Sequence, residues 1–223
     1  MKDFVFIITY GRSGSTLLQG ILNSIKGYKI TGENENGLYL LFKFDQTRAQ
    51  SLANYYTCMQ NFNIQKQQNP WWNEVNVTQL RDDLRQIITH MIDPDNEAET
   101  LGFKEIRYTS IKDLEDYLDW MYALLGCRFI FLTRNLDDVL KSEWHKNNPE
   151  GDCKSIMQFE ERIKKYMTMH ENQQWYHITY EQITQGDLKG LFKFLGKRYN
   201  ATKIKRVLAT PHGYKTDGKV KTS

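Results

Sequence analysis

The chain has 223 residues, 40% hydrophobic and 26% charged, ordinary for a globular protein and enough for one α/β domain with a real core. A net charge of +3 suits an anionic ligand and argues against a nucleic-acid binder, which clusters far more positive charge. Three widely spaced cysteines, Cys58, Cys127 and Cys153, argue against a disulfide framework or a Cys-x-x-Cys zinc site, and no run approaches the ~20 apolar residues of a membrane span.

In chain order, Phe4 to Thr9 reads as a short buried strand that breaks into a Gly-rich turn. It is too short for a signal-peptide core, so a soluble, cytoplasmic protein is expected, and Asn76-Val77-Thr78 and Asn200-Ala201-Thr202 read as chance matches to glycosylation acceptors. Leu17, Leu18, Ile21, Leu22 and Ile25 predict a helix from near Ser15 to around Gly27. Tyr28 to Thr31 follows as a strand ending in Gly32-Glu33-Asn34-Glu35-Asn36-Gly37. Strand, loop, helix and strand form one βαβ unit, which implies a parallel sheet with a right-handed crossover.

From Leu38 to about Asp95 the chain is polar and rich in Gln and Asn, and predicts a mainly helical insertion between core strands. Leu101 to Ile106 resumes a strand, Leu114 to Leu125 carries helical spacing closed by Gly126, and Arg128 to Thr133 is another strand. Asp137 and Asp138 fall in the first turn of the next helix, where negative charge is favoured. Ile156, Phe159, Ile163 and Met167 predict an amphipathic helix, Trp175 to Thr179 a strand, and Leu188, Leu191, Phe192 and Leu195 a further helix. The expected fold class is α/β: a single domain over residues 1–223, with a central parallel sheet flanked by helices.

The chemistry concentrates in Gly11-Arg12-Ser13-Gly14-Ser15-Thr16, between the first strand and the first helix. Gly11 and Gly14 let the backbone curl, so that its N–H groups and the positive end of the helix face one point and favour an anion. Ser13, Ser15 and Thr16 add hydroxyl donors, and Arg12 adds a permanent charge with a planar fork for phosphate oxygens. The loop is not a Walker A sequence, because no Lys precedes Ser15. The plainer alternative is a Ser-rich cap on an ordinary helix.

Tyr10-Gly11-Arg12-Ser13-Gly14-Ser15-Thr16-Leu17-Leu18 resembles the 5′-phosphosulfate loop of sulfotransferases dependent on 3′-phosphoadenosine-5′-phosphosulfate (PAPS), in the Arg form common in bacterial and Golgi carbohydrate sulfotransferases. The resemblance implies a P-loop-NTPase-like sulfotransferase fold. A second family landmark is a strand ending in Arg followed by a Ser eight residues on, which together hold the 3′-phosphate. Here these are Arg134, after Phe129 to Thr133, and Ser142, expected two turns into the next helix. Thr179-Tyr180-Glu181 is similar to the segment whose Tyr lies near the adenine, and Lys219, with His212-Gly213-Tyr214-Lys215, resembles a basic C-terminal loop that closes over the 3′-phosphate. The matches cover Phe4 to Glu35 and Leu101 to Glu181.

The same resemblance implies PAPS as co-substrate, PAP as product, and direct in-line transfer to an acceptor hydroxyl, and no metal is expected because no His/Cys/Asp cluster has ligand spacing. It also implies a Glu base at the end of the second core strand. Glu33, twenty-one residues after Arg12, has the spacing seen in relatives, while the Glu-Asn-Glu of heparan-type enzymes keeps Glu35 open. Lys104 resembles the family's Lys over the leaving oxygen. Strand alternation puts Lys104 and Ile106 on one face and Glu105 and Arg107 on the other, so Arg107 joins the site only if the strand has ended before it. A glycan acceptor is expected, with Trp71, Trp72, Tyr55, Tyr56 and Phe62 as candidate sugar platforms. A P-loop-like nucleotide or small-molecule kinase and a non-catalytic PAP-binding module are the rival readings.

Overall fold

The computed structural model describes residues 2–62, 74–170 and 174–210. Its centre is β1 (Asp3–Ile8), apolar along nearly its whole length and buried after the first residue. Such a continuous apolar run suits a parallel strand covered on both faces. β2 (Tyr28–Thr31), β3 (Thr100–Glu105), β4 (Arg128–Thr133) and β5 (Trp175–Thr179) complete a five-stranded sheet in the order β2-β3-β1-β4-β5. Every pair within it is parallel.

Side-chain alternation along the strands builds two cores. Phe4, Phe6 and Ile8 of β1, with Phe129 and Phe131 of β4, face α4 (Leu114–Leu125) and α6 (Pro149–Met169). Val5, Ile7, Ile130 and Leu132 face the opposite way, onto α1 (Ser15–Asn23), α8 (Lys189–Phe194) and α9 (Ala201–Ala209).

The segment between β2 and β3 supplies α2 (Gly37–Phe62) and α3 (Val77–Ile92), in keeping with the helical insertion. Phe42 of α2 packs on Tyr117 and Trp120 of α4 at ring distances of 5.5 and 5.7 Å. Tyr39 Oη donates to Asp113 Oδ1 at 2.6 Å, which ties the start of α2 to the same helix. Just after α3, buried Asp93 accepts from Lys29 of β2 at 2.7 Å and from the Ala98 N–H at 2.9 Å. With Lys29 first among the causes, its carboxyl is lowered to about 2.

Four details depart from the predicted pattern. α1 ends at Asn23, and a turn rather than more helix leads to Gly27. α5 (Leu136–Leu140) is only five residues long, with Asp137 and Asp138 in its first turn. In α6 the fourth buried position is Tyr166, not Met167. α7 (Tyr180–Gln185) and α9 lie outside the predicted pattern: α9 does carry Ile204, Val207 and Leu208 at helical spacing, whereas α7 starts from a reciprocal capping box between Thr179 and Gln182. Gly126 ends α4 at φ 61°, the left-handed cap expected of it.

Candidate functional site

Five parallel strands end on one edge of the sheet, and the segments that follow them meet there around a cavity of about 660 Å³. Chain order reverses at β1, between β3 and β4, the place where open α/β sheets bind ligands. The walls include Arg12, Gly14, Ser15 and Thr16 after β1, Glu33 after β2, Lys104 and Ile106 at the end of β3, Arg134 after β4 and Tyr180 after β5.

Two left-handed residues curl the loop after β1: Arg12 at φ 64° and Gly14 at φ 90°. Arg12 is not a glycine, so its backbone is strained, a feature that concentrates at functional sites. At Gly14 a Cβ would lie 2.2 Å from Tyr180 Cδ2, so only glycine fits against that ring. Gly14 is also the N-cap of α1, and no side chain caps the helix. A serine cap is therefore not the role of this loop. The first N–H groups of α1, which no helix can satisfy internally, are left beside the cavity with the positive end of the helix. Ser13 is fully buried, and its Oγ has no hydrogen-bond partner among the described residues.

Arg134 reaches back to this loop. Its Nη1 donates to the Arg12 carbonyl at 3.1 Å, its guanidinium lies 4.2 Å from the Tyr180 ring centre, and its Nε is buried without a partner. Tyr10 sets the backbone there: its hydroxyl accepts from the Arg134 N–H at 2.9 Å and donates to Glu160 at 2.7 Å. Burial first, then Glu160, pushes the Tyr10 phenol far up, so it keeps its proton. Ser142 differs from expectation. α5 stops at Leu140, and Ser142 instead caps a 3-10 turn (Glu143–His145), accepting from the Trp144 N–H at 3.4 Å. It does not line the cavity.

Across the cavity, Glu33 Oε1 accepts from Lys104 Nζ, and Glu33 Oε2 accepts from Arg107 Nη1 at 3.1 Å. β3 ends at Glu105, which frees Arg107 from strand alternation and lets it turn toward the two loop glutamates. Its Nη2 donates to Glu35 at 2.9 Å. The side chain of Glu33 is 25% exposed and lines the cavity, whereas that of Glu35 is 82% exposed and does not.

Glu105, unassigned by the sequence, holds this arrangement together from beneath. Its buried carboxylate accepts from the N–H groups of Asn34 and Asn36 at 3.2 Å each, from Ile106 N–H at 2.9 Å and from Arg107 Nη1 at 3.0 Å. Burial opposes its ionisation, but the N–H groups of Ile106, Asn36 and Asn34 and the Arg107 guanidinium outweigh it and hold the carboxyl below its ordinary value. The available hint was strand alternation, which sets Glu105 on the face opposite Lys104.

Of the expected sugar platforms, Tyr55 is buried against Tyr56 at a ring distance of 5.4 Å, and neither they nor Phe62 line the cavity. Trp71, Trp72, Lys219 and the segment His212 to Lys215 lie outside the described residues. Besides Tyr180, the cavity takes an aromatic wall from Trp144, 59% exposed, which packs beside Gly11. Nothing in its local sequence marks it.

Among the described residues, no group of three or more His, Cys, Asp or Glu side chains is placed to hold a metal ion. Within the same residues no helix is long and apolar enough to cross a membrane. No curated protein matches the chain. A family model described as the sulfotransferase family matches residues 4–200, from the first core strand to the N-cap of α9. The chain belongs to the sulfotransferase family.

Proposed function

We propose that this sulfotransferase uses PAPS as donor, an acceptor hydroxyl on a carbohydrate, and Glu33 as the base. One observation carries the reading: Arg12, the first turn of α1, Arg134, Tyr180, Lys104 and Glu33 all border one cavity. Its volume of about 660 Å³ lies within the range of pockets that enclose a ligand of this size, ~300–1,000 Å³. Buried Ser13 Oγ and Arg134 Nε, neither with a partner among the described residues, are donors suited to phosphate oxygens.

When bound, the donor supplies a sulfuryl group attached to a phosphate that can leave. Arg12 and the N–H groups opening α1 bind the 5′ end, Arg134 the 3′-phosphate and the Tyr180 ring the base. Ser142, outside the cavity wall, is assigned at most a supporting part in that 3′ site. Glu33 takes the proton of the acceptor hydroxyl as its oxygen approaches sulfur, and Lys104 stabilises charge on the departing oxygen. Because Lys104 and Glu33 are paired in the free protein, donor binding draws Lys104 away and frees Glu33 Oε1 for the acceptor. Arg107 keeps Glu33 aligned through Oε2 during that exchange. Glu33 is preferred to Glu35 because Glu35 stands away from the cavity wall.

Calorimetry with PAP, ADP and AMP tests this. PAP should bind at least about tenfold more tightly than ADP, since a phosphate held by Arg contributes roughly 1.5–3 kcal/mol. Equal affinity for all three would remove the 3′-phosphate site and with it PAPS as donor.

A further inference from the structure

A second, smaller hollow of about 260 Å³ adjoins the donor cavity. Ile106 and Trp144 line both, so the two share a wall. Gly11, Arg107, His145 and Asp152 also border the smaller one. His145 closes the 3-10 turn after α5, and Asp152 lies in the first turn of α6.

The side chain of His145 is only 7% exposed. Its Nδ1 lies 2.8 Å from Asp152 Oδ2, while its Nε2 is buried and has no hydrogen-bond partner among the described residues. A carboxylate only accepts, so Nδ1 carries the proton, and in the neutral ring Nε2 is a bare acceptor. Leaving such a group unpaired costs stability, and the transfer chemistry above makes no use of it. The hollow is smaller than the ~300–1,000 Å³ pockets that enclose a drug-sized ligand, which limits its occupant to a compact group. Trp144 adds an apolar surface, and Arg107 and Asp152 add polar edges. A small ring that brings a hydroxyl donor to Nε2 matches all three features.

We propose that this hollow is the acceptor subsite, and that it takes one sugar residue whose hydroxyl donates to His145 Nε2. Asp152 is a positioning residue that holds the imidazole in the accepting tautomer. The remainder of the acceptor extends past Ile106 and Trp144 toward the donor cavity. Which hydroxyl is sulfated depends on the donor reading above; the binding of the sugar does not.

The test is a titration of ¹⁵N-histidine-labelled protein with glucose and with N-acetylglucosamine, with and without PAP, followed by long-range ¹H–¹⁵N correlation. His145 should show a protonated Nδ1 and a bare Nε2, and the Nε2 resonance should move on adding sugar. Asp152→Ala should lose the tautomer preference. A His145 ring of the opposite tautomer, or one unmoved by either sugar, overturns the subsite. In turnover with the sugar that moves it, His145→Phe should raise KM about tenfold, the worth of one lost hydrogen bond, with kcat and the PAP Kd held within about twofold. His145→Gln should recover part of that loss. A fall in kcat at unchanged KM, or a matching loss of PAP affinity, also overturns it. If His145→Phe does not fold, the wild-type spectra alone decide. Wild-type protein that fails to bind PAP defeats the donor reading, while the titration without PAP still decides the subsite.

Discussion

The loops after β1 and β2 both curl through left-handed non-glycine residues, yet they finish in opposite states. In the first, Arg12 at φ 64° and Gly14 at φ 90° turn the chain along the cavity wall, and Ser13 Oγ has no partner among the described residues. In the second, Glu35 at φ 55° and Asn36 at φ 58° wrap a carboxylate the protein supplies itself: the N–H groups of Asn34 and Asn36 both reach Glu105. The second curl is completed by an anion of the chain itself, and the first opens on the cavity. A curl completed internally is rigid before any ligand arrives, which suits a segment that must present Glu33 in a set direction. An open curl keeps its donors for binding.

Removing the group that the closed curl presents should have the largest effect. Glu33→Ala is expected to lower kcat by about a thousandfold, within the range for loss of a general base, with PAP affinity changed less than about twofold. Full activity in that variant would move the base to Glu35. Removing the internal anion comes next. Glu105→Ala leaves the N–H groups of Asn34, Asn36 and Ile106 without their side-chain acceptor and takes one of three carboxylates from Arg107, and should cost about 2 kcal/mol in denaturant unfolding, as leaving buried donors unpaired does. A loss below about 0.5 kcal/mol would show that the second loop stands without its anion.

On the open side, Arg134→Ala should weaken PAP binding by roughly ten- to a hundredfold in calorimetry, with little change in melting temperature. An unchanged Kd would detach Arg134 from the nucleotide. The smallest effect is on pH dependence. The Glu105 carboxyl is held below its ordinary 4.5, so the unfolded chain binds more protons in that window. Its contribution is present above about pH 4.5 and is lost as pH falls through the lower folded value. Melting curves from pH 6 to pH 3 should thus fall more steeply for wild type than for Glu105→Gln; parallel curves would remove Glu105 from acid sensitivity.

What could be read in advance was local. A strand's apolar run, a Gly-rich turn and a helix's spacing are contiguous in the chain, so β1, β2, β4, β5 and the anion loop are visible within a few residues each. Ser142 shows the limit of such reading. Its spacing from Arg134 is as expected, but α5 stops at Leu140, and a count of residues does not say when a helix ends. α7 escapes a reading by periodicity because so short a helix rests on its cap, whereas α9 shows Ile204, Val207 and Leu208 at helical spacing and was legible.

The sequence by itself determined the α/β alternation and a Gly-rich loop suited to an anion, because each follows from chemistry between near neighbours, whereas Glu33, Lys104 and Arg134 stood out through the resemblance to a known family. Only the tertiary structure decided which residues act together. The Tyr10 hydroxyl on Arg134, Arg107 between Glu33 and Glu35, Glu105 under the second loop and Trp144 over Gly11 each join parts of the chain brought together only by the order of the strands. Parallel strands place all their C-terminal ends on one edge, so residues from five segments share a cavity that no local pattern encodes.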